Sequence, residues 1–242
     1  WDVNVCGTKN LLEIMKDNEC YSIVFSSSAT IYGLTNSVPI SEEQNFSPIN
    51  PYGKTKVAIE NMLCDLFKSN INLWKIASLR YFNPVGAHPS GKIGEDSKGI
   101  PSNLFPYITQ VAIGRLDYLQ VFGDDWDTKD GFGVRDYIHI IDLAEGHIAA
   151  LEYLKLKKSG FDFFNLGSGD GYSVLEIIKE FELSTGCNIP YKIHARREGD
   201  IAISIADIAK AKKILAWEPN KTLRQVCVDC WKWQSNNPNG YS

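Results

Sequence analysis

Three stretches decide how this chain folds: Tyr21-Ser-Ile-Val-Phe-Ser-Ser-Ser28, Asn50-Pro-Tyr-Gly-Lys-Thr-Lys56, and the run from Leu73 to Phe82. The first is a short apolar run ending in hydroxyls, as a buried parallel strand does where it reaches an active-site edge. The second supplies Asn50 as a helix N-cap and Pro51 at the first helical position, where its missing N–H is no loss. The helix it opens carries Val57, Ile59, Met62, Leu63 and Leu66 as an apolar set. Leu73 to Phe82 reads as another buried strand. Strand, helix and strand in that order predict a parallel sheet with right-handed crossovers.

Upstream, the chain opens Trp1-Asp2-Val3-Asn4, and Leu11, Leu12, Ile14 and Met15 recur at helical spacing. It therefore starts at or inside a helix with no strand before it, which is expected of the remainder of a longer protein. Downstream, residues 84–103 are rich in Gly, Pro, Ser and Asp, too long for an ordinary connection, and read as a functional loop. A helix from Phe105 to Ile113, an acidic loop from Asp124 to Gly131 and a strand from Tyr137 to Ile141 follow. Next come a helix from Asp142 to about Leu156 and a strand from Phe161 to Leu166. Ser173-Val-Leu-Glu176 matches a capping box and opens a further helix.

The 242 residues are 44% hydrophobic and 22% charged with a net charge of −4, which excludes collagen-like, disordered and disulfide-scaffold classes. Mild acidity argues against nucleic-acid and anionic-membrane partners. No run approaches the roughly 18 apolar residues of a membrane helix. Six cysteines are scattered without a framework, so a reducing, cytoplasmic setting is expected. Cys227 and Cys230 lack a second pair or a nearby His and fall in an amphipathic stretch, Val226 to Trp233, so they read as small apolar residues of a helix rather than zinc ligands. Asp124, Asp125, Asp127 and Asp130 miss the spacing of a calcium loop, and His139 and His147 read as an ordinary strand and helix residue. No metal is expected.

Tyr52 and Lys56 stand four apart, one turn along a helix face. A phenol ordinarily titrates near 10, and a nearby lysine, helped by a cationic nicotinamide, favours the phenolate. Bringing it down to neutral pH takes about 4 kcal/mol of differential stabilisation. Ser28, at the strand end upstream, is placed to donate to the substrate oxygen that Tyr52 deprotonates. Ser28, Tyr52 and Lys56 are the candidate catalytic residues.

Longer stretches carry a resemblance. Ser26-Ser-Ser-Ala-Thr-Ile-Tyr-Gly33, Asn50 to Lys56, Arg80-Tyr-Phe-Asn-Pro-Val-Gly-Ala-His88 and Gly133-Val-Arg-Asp-Tyr-Ile-His139 are similar to UDP-glucose (UDP-galactose) 4-epimerases. So are Asn165-Leu-Gly-Ser-Gly-Asp-Gly-Tyr-Ser-Val174 and Ala195-Arg-Arg-Glu-Gly-Asp200. That family belongs to the extended short-chain dehydrogenase/reductases. The resemblance implies an α/β fold, an incomplete Rossmann-type doubly wound parallel sheet plus a smaller α/β substrate domain. Residues 1–83 would form the second part of the NAD-binding domain. Residues 84–242 would form mainly the UDP-sugar domain, with some segments returning to the sheet. It further implies NAD as cofactor, with Asn4, Ser28, Tyr52, Lys56, Tyr81 and Phe82 beside it. Asn83, Asn103, Leu104, Gln120, Val121, Phe122, Arg135, Arg197, Asp200 and Ser204 would bind the substrate. The implied reaction interconverts UDP-galactose and UDP-glucose through a 4-keto sugar, in a homodimer packed partly through the Tyr52 helix. Ser204 stands where narrow-specificity members carry Tyr, so N-acetylated UDP-hexosamines are expected as substrates too.

The family begins with a strand and a Gly-rich turn that cradles the dinucleotide pyrophosphate. This chain shows no such fingerprint; Gly167-Ser-Gly-Asp-Gly171 has Tyr172 where the third glycine would stand. The chain alone is therefore expected to be inactive or nearly so. Two alternatives are a 4,6-dehydratase-like relative and a non-catalytic remnant. The first is disfavoured because Ala29-Thr30 occupies the slot where dehydratases place an acidic pair.

Overall fold

The computed structural model describes residues 1–34 and 37–241. The chain divides into two compact units, each returned to more than once: Trp1–Phe82, Ala144–Gly169 and Ala206–Glu218 form the first, and Asn83–Leu143, Asp170–Ile205 and Pro219–Ser242 the second.

In the first unit a π-helical turn, Asp2–Cys6, runs into α1 (Gly7–Asp17). The strands β1 (Ser22–Ser28) and β2 (Lys75–Tyr81) flank α2 (Pro51–Ser69). Both strands are parallel, Ser22 paired with Lys75 and Ser28 with Tyr81. Ile76, Ala77, Ser78, Leu79 and Arg80 are buried in succession, as a central parallel strand covered on both faces requires. Leu12, Phe25, Ile59, Leu63, Trp74 and Ile76 form the core joining α1, α2 and these strands. Of the apolar residues spaced along α1, only Leu12 is buried; Leu11 and Ile14 are 50% and 60% exposed, so the helical periodicity is real but one of its faces is open.

The second unit begins at β3 (Asn83–Val85) and includes α3 (Leu104–Ala112), β4 (Leu119–Phe122), β5 (Val134–Arg135) and β6 (Tyr137–His139). Helix α4 (Ile140–Leu156) carries the chain into the first unit, where β7 (Gly160–Leu166) adds to the parallel sheet beside β2. The chain then re-enters the second unit with β8 (Tyr172–Ser173), α5 (Val174–Thr185), β9 (Tyr191–His194) and β10 (Ile203–Ser204). Helix α6 (Ala209–Leu215) belongs to the first unit and α7 (Leu223–Asn236) to the second. Small sheets dominate the second unit: β4 runs parallel to β9, β3 to β6, and β5 lies between β10 and β8. Its core gathers Phe105, Ile108, Leu119, Ile177, Phe181 and Cys227 among others.

Capping chemistry sets the helix starts. Ser173 and Glu176 form both bonds of a capping box, and Thr222 with Gln225 repeats the device on α7. Helix α4 starts at Ile140 rather than Asp142 because the His139 ring takes the capping role: its Nδ1 accepts from the Ile141 N–H at 3.0 Å. Among the described residues no helix is long and apolar enough to cross a membrane.

Candidate active site

Parallel sheets bind ligands at the carboxyl ends of their strands. In the first unit that edge is formed by Ser28, Tyr81 and Leu166, in register at the ends of β1, β2 and β7. The Asn50 side chain accepts from the Gly53 N–H at 2.7 Å and fixes where α2 begins. Gly53 admits no side chain, since a Cβ there would lie 2.8 Å from the Thr30 carbonyl oxygen. The first turn of α2 is thereby held against the turn that follows β1, which brings Tyr52 to Ser28.

Tyr52 hydrogen-bonds to Ser28, and burial outweighs that bond, so its phenol lies above the ordinary value. Lys56 Nζ donates to the Ser26 carbonyl oxygen at 2.9 Å and stands 5.5 Å from the centre of the Tyr52 ring. It lies over the ring face, and burial pushes its own pKa down. Lys56 therefore does not by itself bring the phenol down, contrary to what spacing alone suggests. Both groups are biased toward their neutral forms.

Thr30 gives Ser28 Oγ two donors, its N–H at 3.2 Å and its hydroxyl at 3.0 Å. Asn4 Nδ2 donates to Thr55 Oγ1 at 3.1 Å, and that hydroxyl donates to the Tyr52 carbonyl at 2.7 Å, so Asn4 bears on the first turn of α2. The Tyr81 hydroxyl donates to Ser26 Oγ at 2.7 Å and hydrogen-bonds to His147 Nε2, with burial pushing the phenol up to about 12. The Phe82 ring is buried with Ile31, Tyr32 and Ile40, so only its backbone is at the edge.

The second unit holds a cleft of about 460 Å³, within the range of small-molecule sites. It brings together Asn83 from β3, Asn103 and Leu104 at the start of α3, Gln120, Val121 and Phe122 from β4, Arg135 from β5, and Arg197 and Asp200 from the segment before β10. Ser204 is not in its lining; it is buried on β10, paired in register with Arg135. Arg135 Nη1 donates to the carbonyls of Val134 and Ala202 at 2.9 and 3.3 Å, and burial pulls its pKa down. A guanidinium stays charged regardless. Arg197 donates to Asp200 at 3.2 Å and stacks over Phe122, 4.7 Å from the ring centre.

The amides of Leu119 and Gly123 donate toward β9, to Pro190 and His194. Strand alternation then turns the amides of Gln120 and Phe122 to the other edge of β4. Tyr107, Trp126 and Tyr137 also line the cleft and were not singled out by the sequence. Tyr107 follows Asn103 by one helical turn, and Tyr137 lies in the Gly133–His139 stretch that carries the resemblance; Trp126 had no local signal. Burial pushes the Tyr137 phenol up to about 12, against Arg135 and Arg197.

The remaining candidates have structural partners. Cys227 and Cys230 are buried on α7, and burial pushes the Cys227 thiol up to about 12. The Asp130 carboxylate accepts from the Phe132 N–H at 3.1 Å and the Ser173 hydroxyl at 2.5 Å, and Asp125 pairs with Arg196 at 2.6 Å.

The profile of a family described as GDP-mannose 4,6 dehydratase matches residues 1–230. The UDP-glucose 4-epimerase of Bacillus subtilis (strain 168) is 55% identical over 238 residues, 98% of this chain and 70% of that protein. That of Drosophila melanogaster is 52% identical over 241 residues, 99% of this chain and 69% of the relative. Among solved structures, the enzyme from Stenotrophomonas maltophila with bound NAD and formylated UDP-arabinopyranose superimposes with a TM-score of 0.95 at 48% identity, covering 98% of this chain and 70% of that one. The Bifidobacterium longum enzyme in complex with NAD+ and UDP gives a TM-score of 0.94 at 49% identity, covering 99% of this chain and 71% of that one.

Proposed function

The chain belongs to the UDP-glucose 4-epimerase family, NAD-dependent enzymes of the extended short-chain dehydrogenase/reductase group, and from that premise we propose how its residues divide the reaction. The two guanidinium forks of Arg135 and Arg197 take the diphosphate, for which planar bidentate donors suit best. Asn83, Asn103 and Leu104 close on it from β3 and α3. The spare peptide edge at Gln120 and Phe122 reads the imide edge of uracil. The single observation that carries this reading is the cleft itself, where these separated segments meet.

The first unit handles the proton. Tyr52 takes it from the sugar 4-hydroxyl and returns it, while Ser28, already accepting from Thr30, offers its own proton to the same oxygen. Lys56 spends one of its three N–H donors on Ser26 and presents the others to a ribose diol. These donors fit a nicotinamide nucleoside, with Asn4, Tyr81 and the Phe82 backbone alongside. NAD, when bound, supplies reversible oxidation at C4 and the positive charge that lowers the Tyr52 phenol. No acid stands at residues 29 and 30, which supports epimerisation over elimination.

Three finer readings go with this. Ser204 is small and adjoins Arg135 across the strand pair, which supports acceptance of N-acetylated UDP-hexosamines. The open face of α1, with Leu11 and Ile14, supports a homodimer. Six free cysteines support a cytoplasmic setting. The test is turnover of UDP-galactose to UDP-glucose, with NAD, by the chain extended with the strand and Gly-rich turn that open the family's fold; this extended protein is the parent of every variant. Turnover lost in Tyr52→Phe is expected; normal turnover by that variant overturns the assignment.

A further inference from the structure

The stretch from Gly86 to Asn103 contains no helix or strand, yet its far end, Ile100 to Asn103, forms a wall of the cleft. Ordering so many residues costs conformational entropy. Within the loop the His88 N–H donates to the Ile93 carbonyl and the Gly91 N–H to the His88 carbonyl, both at 2.9 Å; further fixings come from α7 and the residues that follow.

The Trp233 indole N–H donates to the Glu95 carbonyl at 3.2 Å, and Asn237 Nδ2 donates to the Gly91 carbonyl at 3.1 Å. The Tyr241 hydroxyl accepts from the Gly94 N–H at 3.0 Å and donates to the Gly94 carbonyl at 3.1 Å, while its own N–H donates to Asp96 at 3.0 Å. The Tyr241 ring packs on Trp233 with centroids 4.5 Å apart. Both glycines at this junction are favoured: a Cβ at Gly94 would lie 2.2 Å from the Trp233 ring, and Gly240 has φ +83°, with a Cβ there 2.4 Å from the Asp96 carboxylate. The fixed segment is tied in turn to the cleft wall, because Asn103 Nδ2 donates to Glu95 Oε1 at 3.1 Å.

We propose that Asn237 to Tyr241 is a clasp that positions the substrate loop, with Tyr241 as its latch, so that this tail sets the affinity of the cleft for a nucleoside diphosphate. Tyr241 is a positioning residue: it acts on the ligand through Gly94, Glu95 and Asn103. The proposal rests on the reading of the cleft as a uridine diphosphate site.

The experiment titrates UDP into the parent, Tyr241→Ala and Tyr241→Phe by calorimetry, with kcat and tryptic cleavage at Lys92 and Lys98 measured alongside. Tyr241→Ala is expected to weaken UDP about 5–20-fold, because the loop must then be ordered on binding. Its kcat should stay within about twofold, and cleavage at Lys92 and Lys98 should be faster. Tyr241→Phe keeps the ring on Trp233 and loses the two hydroxyl bonds, so it should fall between the two and serve if Tyr241→Ala does not fold. UDP affinity equal to the parent's, or a loss confined to kcat, overturns the clasp. A parent that does not bind UDP overturns the reading of the cleft instead; the clasp then stands or falls on whether cleavage accelerates in the variants.

Discussion

Burial acts in the same sense on the polar groups of both units, but the cation at each candidate site differs in whether it can lose its proton. At the strand edge of the first, burial pushes the Tyr52 phenol up and the Lys56 ammonium down, so both are biased toward their neutral forms and the phenol needs a further positive charge to be brought down. In the cleft of the second, burial acts on Arg135 in the same sense, but a guanidinium has no neutral form to adopt and its charge persists. In the proposed division of roles, Tyr52 and Lys56, which can titrate, serve proton transfer, and the guanidiniums of Arg135 and Arg197, which keep their charge, hold the diphosphate.

That contrast breaks first at Tyr52. Tyr52→Phe keeps the ring and removes the titrating oxygen, and should lower kcat by ~10²–10⁴-fold. Ser28→Ala should cost less, and the double variant little more than Tyr52→Phe, since the two act as a unit; steady-state kinetics on UDP-galactose decide it. The mirror experiment is Arg197→Met, expected to weaken UDP ~10–100-fold in a calorimetric titration while kcat at saturation holds. A kcat loss as large as that of Tyr52→Phe would erase the distinction.

Ser204→Tyr sharpens the comparison within the second unit. Added bulk in a packed site costs roughly 1–3 kcal/mol, so kcat/KM on UDP-N-acetylgalactosamine should drop about tenfold relative to UDP-galactose. Equal losses on both substrates would remove Ser204 from specificity.

The smallest effect is on stability. Burial holds the His139 pKa below its ordinary value, against the pull of Asp229. The unfolded chain therefore takes up a proton that the folded one refuses. The contribution of His139 is present above the ordinary histidine value of about 6.5 and is lost as pH falls below it. In thermal melts the parent's advantage over His139→Gln should narrow from pH 7.5 to pH 5.5. An advantage independent of pH would contradict this.

The first unit was legible because its signals are local. Asn50-Pro51 caps α2, Tyr52 and Lys56 share a helix turn, β1 carries Ile23-Val24-Phe25, and β2 carries Ile76, Ala77 and Leu79. The second unit was legible mainly through resemblance, since its cleft is collected from β3, α3, β4, β5 and the Arg197 segment. Strand β9 gave no sign of itself: all of Tyr191 to His194 is exposed, so nothing alternates. Strand β10 is two residues long, too short for a period. The early start of α4 depended on a histidine ring acting as a cap, which no residue preference announces. The fixing of loop 86–103 by Trp233 and Tyr241 spans more than a hundred residues and is visible only in three dimensions.

Titrating UDP into Tyr52→Phe, with kcat measured on the same preparation, tests the division of roles most directly. UDP affinity within about twofold of the parent, beside a kcat lower by ~100-fold or more, is the predicted result. A variant that turns over near the parental rate, or one whose lost activity tracks lost UDP binding, would contradict it.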